Sequence, residues 1–274
     1  MTVISDFSDW NEDITALFEA SGTRAVSENL FKVISSQVPI ESFIVFHYHK
    51  AGIPEILYER LSNPDHRRNL KSYLDGPYLL DPFYQYFTGG DIQGPLRLRD
   101  IAPDHFLKSE YYRSYYKFSG LRDEVNIYIP LSGQSALALA LGRKAGRRGF
   151  GRKEIAILRA MMPVLNSVCR RQWQNSGVKA AQGNVRFIQA LDNFGTSCLS
   201  ARESEVLHLL LMGHSAKSTA ARMGISPGTV KVHRNNIYAK LDIGSQTELF
   251  SLFIGALAHM TGDGSEDPLI AYHQ

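Results

Sequence analysis

The stretch SPGTVKVHRNNIYAKL, Ser226 to Leu241, gathers the side chains best suited to recognising nucleic acid. Ser226 is a favoured helix N-cap, and Pro227 falls at the first helical position, where a missing N–H costs nothing. Val230, Ile237 and Leu241 then recur at helical spacing and are expected to face inward, with Lys231, Arg234, Asn235 and Tyr238 on the other side. Ammonium and guanidinium groups attract phosphate and donate to guanine, and an Asn amide pairs with adenine. A charged helix face also suits plain solvent, and the pattern alone leaves both readings open.

Other candidate groups point to weaker chemistry. Asp81-Pro82 reads either as a helix N-cap followed by Pro in the first turn, or as a carboxylate available to a ligand. Tyr78, Phe83, Tyr84, Tyr86, Phe87, Tyr111, Tyr112, Tyr115 and Tyr116 would line a small-molecule pocket or fill a core. Arg68, if it faces inward, would favour an anionic or strongly hydrogen-bonding ligand, because a buried guanidinium needs a partner. His47 and His49 share a strand face without an evident third ligand, so no metal is expected, and no cofactor. Arg143, Lys144, Arg147, Arg148, Arg152 and Lys153 crowd one segment that reads first as a solvated loop. Asp75, Asp81 and Asp91 offer carboxylates, yet nothing places two of them around a substrate. The chain has no P-loop, G-x-S-x-G or HExxH, so an enzyme is not expected.

The elements that must carry these groups follow from periodicity. Helical spacing recurs in DWNEDITALFEASGT, AVSENLFKVISSQV, YLLDPFYQYF, SEYYRSYYKF and RKEIAILRAMMPVLNSVCRRQW, the last with an adjustment expected at Pro163. Two hairpins are predicted. One spans SFIVFHYHK and IPEILYERL; the other is DEVNIYIPLSGQSALALALGRK, turning at Ser132-Gly133-Gln134. The polar, Gly-containing stretch after Gln174 reads as a linker, with a short helix around Val185–Leu191. Beyond it, Ser200 and Glu203 form a capping box, Gly213 and Gly224 are stop signals, and two short helices precede the one that opens at Ser226. The fold class is therefore α+β: an N-terminal α/β/α sensor-like domain with an antiparallel sheet over residues 1–173, a linker over 174–195, an all-α helix-turn-helix domain over 196–260, and a tail over 261–274. Net charge is only +3 and cysteines number two, Cys169 and Cys198, which reads as two buried thiols in a reducing compartment. No apolar stretch suits a signal peptide or membrane span, and a cytoplasmic protein is expected.

The segment LSARESEVLHLLLMGHSAKSTAARMGISPGTVKVHRNNIYAKLDIGSQTEL resembles the LuxR-type helix-turn-helix domain. It matches at L-S-x-R-E, the Gly stop, G-I-S, T-V-K-V-H, K-L and the late x-S-x-x-E-L. One departure is Thr219, where the family usually has isoleucine; a small packing loss is expected. The resemblance implies that Lys231, Val232 and Asn235 face base edges and that Thr229, Arg234 and Lys240 contact the DNA backbone, with His233 a structural or phosphate contact. It further implies double-stranded DNA with two-fold-related half-sites, a homodimer paired through the last helix in TELFSLFIGAL, and RNA polymerase as a further partner. The N-terminal layout is similar to the GAF/PAS-like sensors of LuxR-family regulators, including the autoinducer-binding type. Asp81-Pro82 matches that type's Asp-Pro. Where those receptors carry a Trp and a Tyr, this chain has Arg68 and Ser72, with Tyr73 adjacent, so the donors that hold a lactone are not evident. The resemblance points to a ligand site drawing on Asp81, Arg68, Tyr73, Tyr84 and Tyr112, for a small molecule other than a typical acyl-homoserine lactone. The alternatives are a ligand-independent dimeric regulator, and an enzyme or small-molecule binding protein with an incidental helical tail.

Overall fold

The structure is a computed structural model and describes residues 7–50, 52–61, 64–90, 92, 94–131, 134–174, 185–260 and 264–272. The N-terminal half runs α1 (Phe7–Glu19), α2 (Val26–Gln37), β1 (Ser42–His49), β2 (Glu55–Arg60), α3 (Pro64–Leu74), α4 (Pro82–Thr88), β3 (Pro95–Arg97), α5 (Leu98–Ile101), α6 (Glu110–Ser114), β4 (Leu121–Pro130), β5 (Ser135–Lys144) and α7 (Arg152–Trp173). The strands form one antiparallel sheet in the order β2-β1-β5-β4-β3. Both expected hairpins are present, joined through β1 and β5 with Val45 opposite Leu139. Of the turn expected in the second hairpin, Ser132 and Gly133 lie outside the described residues, as does Asp91.

Successive side chains of a strand point to opposite faces, and here both faces are buried. On one face Phe43, Val45, Val125, Ile127, Ile129, Leu137, Leu139 and Leu141 share a core with α1, α2 and α7. On the other, Ile44, Phe46, Tyr48, Tyr128, Ala136, Ala138 and Ala140 lie under the aromatic residues of α3, α4 and α6. The alternation ALALALG in β5 thus puts leucines on one side of the sheet and alanines on the other. Pro163 sits within an unbroken α7, and Cys169 is buried in this core. Cys198 is exposed, contrary to the expectation of two buried thiols; it lies in an exposed turn within the helical half, just before residues 201–211.

The C-terminal half is all helical: α8 (Val185–Asn193), α9 (Ala201–Leu211), α10 (Ala216–Met223), α11 (Pro227–Lys240), α12 (Gln246–His259) and α13 (Pro268–Tyr272). Residues 175–184 of the expected linker lie outside the described residues. Its end forms α8, as the sequence suggested. The predicted start signals at Ser200 and Ser226 are realised, and Ser215, not singled out in the sequence, caps α10 as well. Ser200 and Glu203 form the reciprocal capping box of α9, Ser215 Oγ accepts from the Ser218 N–H (3.1 Å), and Ser226 Oγ accepts from the Thr229 N–H (3.0 Å). Gly224 closes α10 in the left-handed conformation, φ 67°. The expected tail is partly folded: Asp267 accepts from the backbone N–H groups of Gly195 and Ser197 and caps α13, which packs on α12.

The two halves touch. Asp104, after α5, accepts from Ser215 N (3.0 Å) and from the Ser215 hydroxyl, and Thr247 Oγ1 donates to Glu110 Oε1 (2.9 Å). The Phe250 ring meets Tyr115 at 6.0 Å between centroids. Gly213 permits close approach, since a Cβ there would lie 2.9 Å from Ser109 Cβ. The apolar face of α12 expected to pair two copies therefore packs, through Phe250 and Leu257, on its own chain.

Candidate nucleic-acid interface and sensor cavity

Helix α11 presents its polar face outward because Val230 and Ile237 anchor the other side in the helical core. Lys231, Val232 and Asn235 are exposed together, and Val232, 58% exposed, is an apolar contact of the kind that suits a thymine methyl. Thr229 is exposed at the N-terminus, its hydroxyl 2.8 Å from that of Ser226. Arg234, His233 and Tyr238 are only half-buried rather than fully outward, and Arg234 Nε has no hydrogen-bond partner among the described residues. Lys240 is already engaged: its Nζ lies 2.7 Å from Glu203 Oε2, tying the end of α11 to the start of α9. The hydrogen bonds from Lys240 and from the Ser200 N–H hold the Glu203 carboxyl down at about 2.

The N-terminal half contains a cavity of about 60 Å³ between the alanine face of the sheet and the helices above it. Its polar lining comes from separate segments: His66 and Tyr73 of α3, Asp81 at the start of α4, Tyr111 of α6, Tyr116 beyond it, and Glu124 of β4. Asp81 is both N-cap and cavity wall. Its Oδ1 accepts from the Phe83 N–H (2.8 Å), and its Oδ2 accepts from the Tyr73 hydroxyl (2.7 Å). Burial pushes the Asp81 carboxyl up to about 6 against those bonds. Glu124 is half-buried as a residue, but its carboxyl is enclosed; burial, with the charge of Asp81 nearby, pushes it up to about 8. Tyr116 Oη lies close to it without reaching hydrogen-bond geometry. Burial lowers His66 to about 4, leaving a neutral imidazole whose Nδ1 has no partner among the described residues.

Residues 197–253 match the family described as bacterial regulatory proteins, luxR family. An HTH-type transcriptional regulator from the exeN 3' region of Aeromonas salmonicida is 36% identical to this chain over 186 residues, spanning 65% of this chain and 94% of that protein. The chain belongs to the LuxR family. It is a transcriptional regulator with a helix-turn-helix DNA-binding domain. The monoamine regulon transcriptional regulator of Klebsiella aerogenes is 25% identical over 241 residues, 87% of this chain and 94% of that one. Among solved structures, the LBD domain of VqsR from Pseudomonas aeruginosa superposes with a TM-score of 0.53 at 27% identity, covering 60% of this chain and 96% of that one.

In this LuxR-family chain the residues expected to hold a ligand divide. Asp81 and Tyr73 line the cavity. Arg68 is exposed on α3 and does not line it, so the inference of an anionic ligand, which depended on an inward guanidinium, lapses. Tyr84 is buried core, its hydroxyl donating to the His49 and Gly52 carbonyls at 3.3 and 3.1 Å, and Tyr112 lines a neighbouring groove beside Phe106. Glu124 and His66, which sequence reading did not single out, stand where the cavity is most polar. Of the basic segment, Arg143 is buried, pairs with Glu154 and lies 4.2 Å over the Phe150 ring; it holds the start of α7. His47 and His49 contact each other at 3.2 Å, and no group of three metal-ligating side chains occurs among the described residues. Among the same residues, no helix is long and apolar enough to cross a membrane.

Proposed function

We propose that this regulator acts in the cytoplasm as a homodimer, reads double-stranded DNA at two-fold-related half-sites through α11, and is controlled by a small molecule bound in the N-terminal cavity. The observation that carries the DNA reading is the joint exposure of Lys231, Val232 and Asn235 on a helix that Ser226 caps and Val230 and Ile237 anchor. Two such helices related by a dyad need half-sites about one helical turn apart. In this reading Thr229 and Arg234 meet phosphate, and Lys240 does so only by sharing or leaving Glu203. The cavity, walled by a carboxyl that also caps a helix, supports control by a ligand. The Klebsiella relative is named for a monoamine regulon, so small amines belong in any ligand screen.

The test is operator binding, measured at fixed salt after selecting a site from random DNA. Lys231→Ala and Asn235→Ala should each cost about 1–3 kcal/mol and relax preference at one base pair. Arg234→Ala should weaken all sequences alike and lower the salt slope by about one unit. Unchanged affinity and preference in both Lys231→Ala and Asn235→Ala would remove α11 from the groove.

A further inference from the structure

The cavity in the N-terminal half is rich in acceptors and poor in cations. Asp81 and Glu124 both present carboxyls to it, and no Lys or Arg among the described residues lines it. His66 is only 6% exposed, is held neutral by its burial, and leaves Nδ1 unpartnered at the cavity wall. With the imidazole proton on Nε2, Nδ1 is a third acceptor. The rest of the wall combines the rings of Phe46, Tyr73, Tyr111, Tyr115 and Tyr116 with small, aliphatic and neutral polar residues. Three acceptors and several ring faces around one small space match the three N–H donors and the charge of a primary ammonium. The space of about 60 Å³ between sheet and helices holds more than one water-sized group, enough for an ammonium head with a short stem.

We propose that the cavity is a binding site for a primary organic amine, whose ammonium group is held by Asp81, Glu124 and His66 Nδ1 and faced by the tyrosine rings. This rests on the reading that the N-terminal half binds a small effector, and it names the effector's chemical class. The site has a built-in proton exchange. Burial favours the protonated carboxyl at Glu124, with the charges of Asp81 and Asp123 adding to it, while Tyr116 opposes it. His66 and Tyr73 of α3, Tyr111 of α6 and Tyr115 are the other titratable groups around the same space. An arriving ammonium supplies the counter-charge that ionised carboxylates lack, and so displaces the Glu124 proton to solvent.

The full-length protein is titrated by calorimetry at millimolar ligand with n-propylamine and benzylamine, the uncharged propan-1-ol and benzyl alcohol, propionate, and an acyl-homoserine lactone. The amines should bind at least about 30-fold more tightly than the alcohols, the difference expected when a charge loses its buried partner. Propionate should not bind. Amine affinity should strengthen from pH 6 to pH 8, by up to about tenfold per unit while one proton is displaced. Glu124→Gln should lose that pH dependence and most of the affinity. Because the wild-type pH profile needs no variant, a Glu124→Gln chain that fails to fold does not spare the proposal. Alcohols binding as well as amines, or an affinity flat with pH, would overturn it. Lactone binding without amine binding would overturn it and leave small-molecule control standing. Failure of every compound to bind a chain that still binds its operator would remove both.

Discussion

The two faces of the central sheet are made from the same strands but do different work. On the α2–α7 side, Leu137, Leu139 and Leu141 fill the space between sheet and helices. On the α3–α6 side, Ala136, Ala138 and Ala140 project almost nothing, and the room they leave is taken by tyrosines from the covering helices and by the cavity. The leucine face is a packed core whose value lies in having no space. The alanine face spends part of its possible stability on holding polar groups around a hole. One ten-residue strand thus separates a packed core from a polar cavity simply by its period of two.

The sharpest test of that contrast is a pair of substitutions on adjacent residues. Leu139→Ala should destabilise by about 2–5 kcal/mol, because it opens a void in a packed face. Ala140→Val, whose added methyls would enter the cavity that Ala140 lines, should cost far less and weaken ligand binding instead. Chemical denaturation of both variants checks this; equal losses would abolish the distinction between the faces.

A pH titration separates the faces next. Asp81 and Glu124 have pKa values raised by burial, to about 6 and about 8. At these two carboxyls the native state holds protons that the unfolded chain has released, so their contribution falls as pH rises. His47 and His66, lowered to about 4, act in the opposite sense below about pH 6.5, and the decline is expected from about pH 6.5 to 8, where Glu124 dominates. The slope can reach about 1.4 kcal/mol per pH unit for each proton retained. Melting the ligand-free protein from pH 6.5 to pH 9 should show the decline, and Glu124→Gln should flatten it. The leucine face carries no raised carboxyl; its one strongly shifted strand group, His47 opposite Leu137, is lowered by burial to about 4 and contributes a slope of the opposite sign below about pH 6.5.

The smallest effect asks whether a buried polar atom without a partner always signals a site. Thr219 in α10 is fully buried and its hydroxyl has no hydrogen-bond partner among the described residues, but it faces no cavity. Thr219→Val should stabilise by about 1 kcal/mol, since it removes a desolvated hydroxyl at nearly constant shape. A loss instead, measured by thermal unfolding, would point to an unrecognised role for that hydroxyl. The same measurement tests the small packing loss expected at this position.

What could be read beforehand depended on how far apart the cooperating residues lie. The caps at Ser200 and Ser226, the stop at Gly224 and the exposed Lys231–Asn235 face are all set within a few residues, and local physical chemistry finds them. Asp81 was visible for the same reason, because an N-cap before Pro is a local signal. Glu124 and His66 were not visible: each is an ordinary polar residue until the sheet and α3 bring them to one space. The exposed Arg68, by contrast, looked more informative than Glu124. Nothing local reveals that Lys240 is tied to Glu203, or that Arg143 is buried over Phe150, because each needs a partner from another element. Strand β3, three residues long, is too short for any periodicity to show.

Helix α6 is only five residues long, and two consecutive ones serve different masters. Tyr111 forms part of the cavity wall, while Glu110 holds Thr247 of the helical half. There is no slack between neighbours in a helical turn, so re-seating the ring re-aims the carboxylate. The same short helix leads into Tyr115, which packs on Phe250. A molecule entering the cavity and a duplex pulling on the helical half therefore press on opposite ends of one part. Such a part cannot be a one-way wire. Whatever free energy the ligand adds to or takes from DNA binding, DNA must return to the ligand in equal measure, so the operator should itself act as an effector of the cavity.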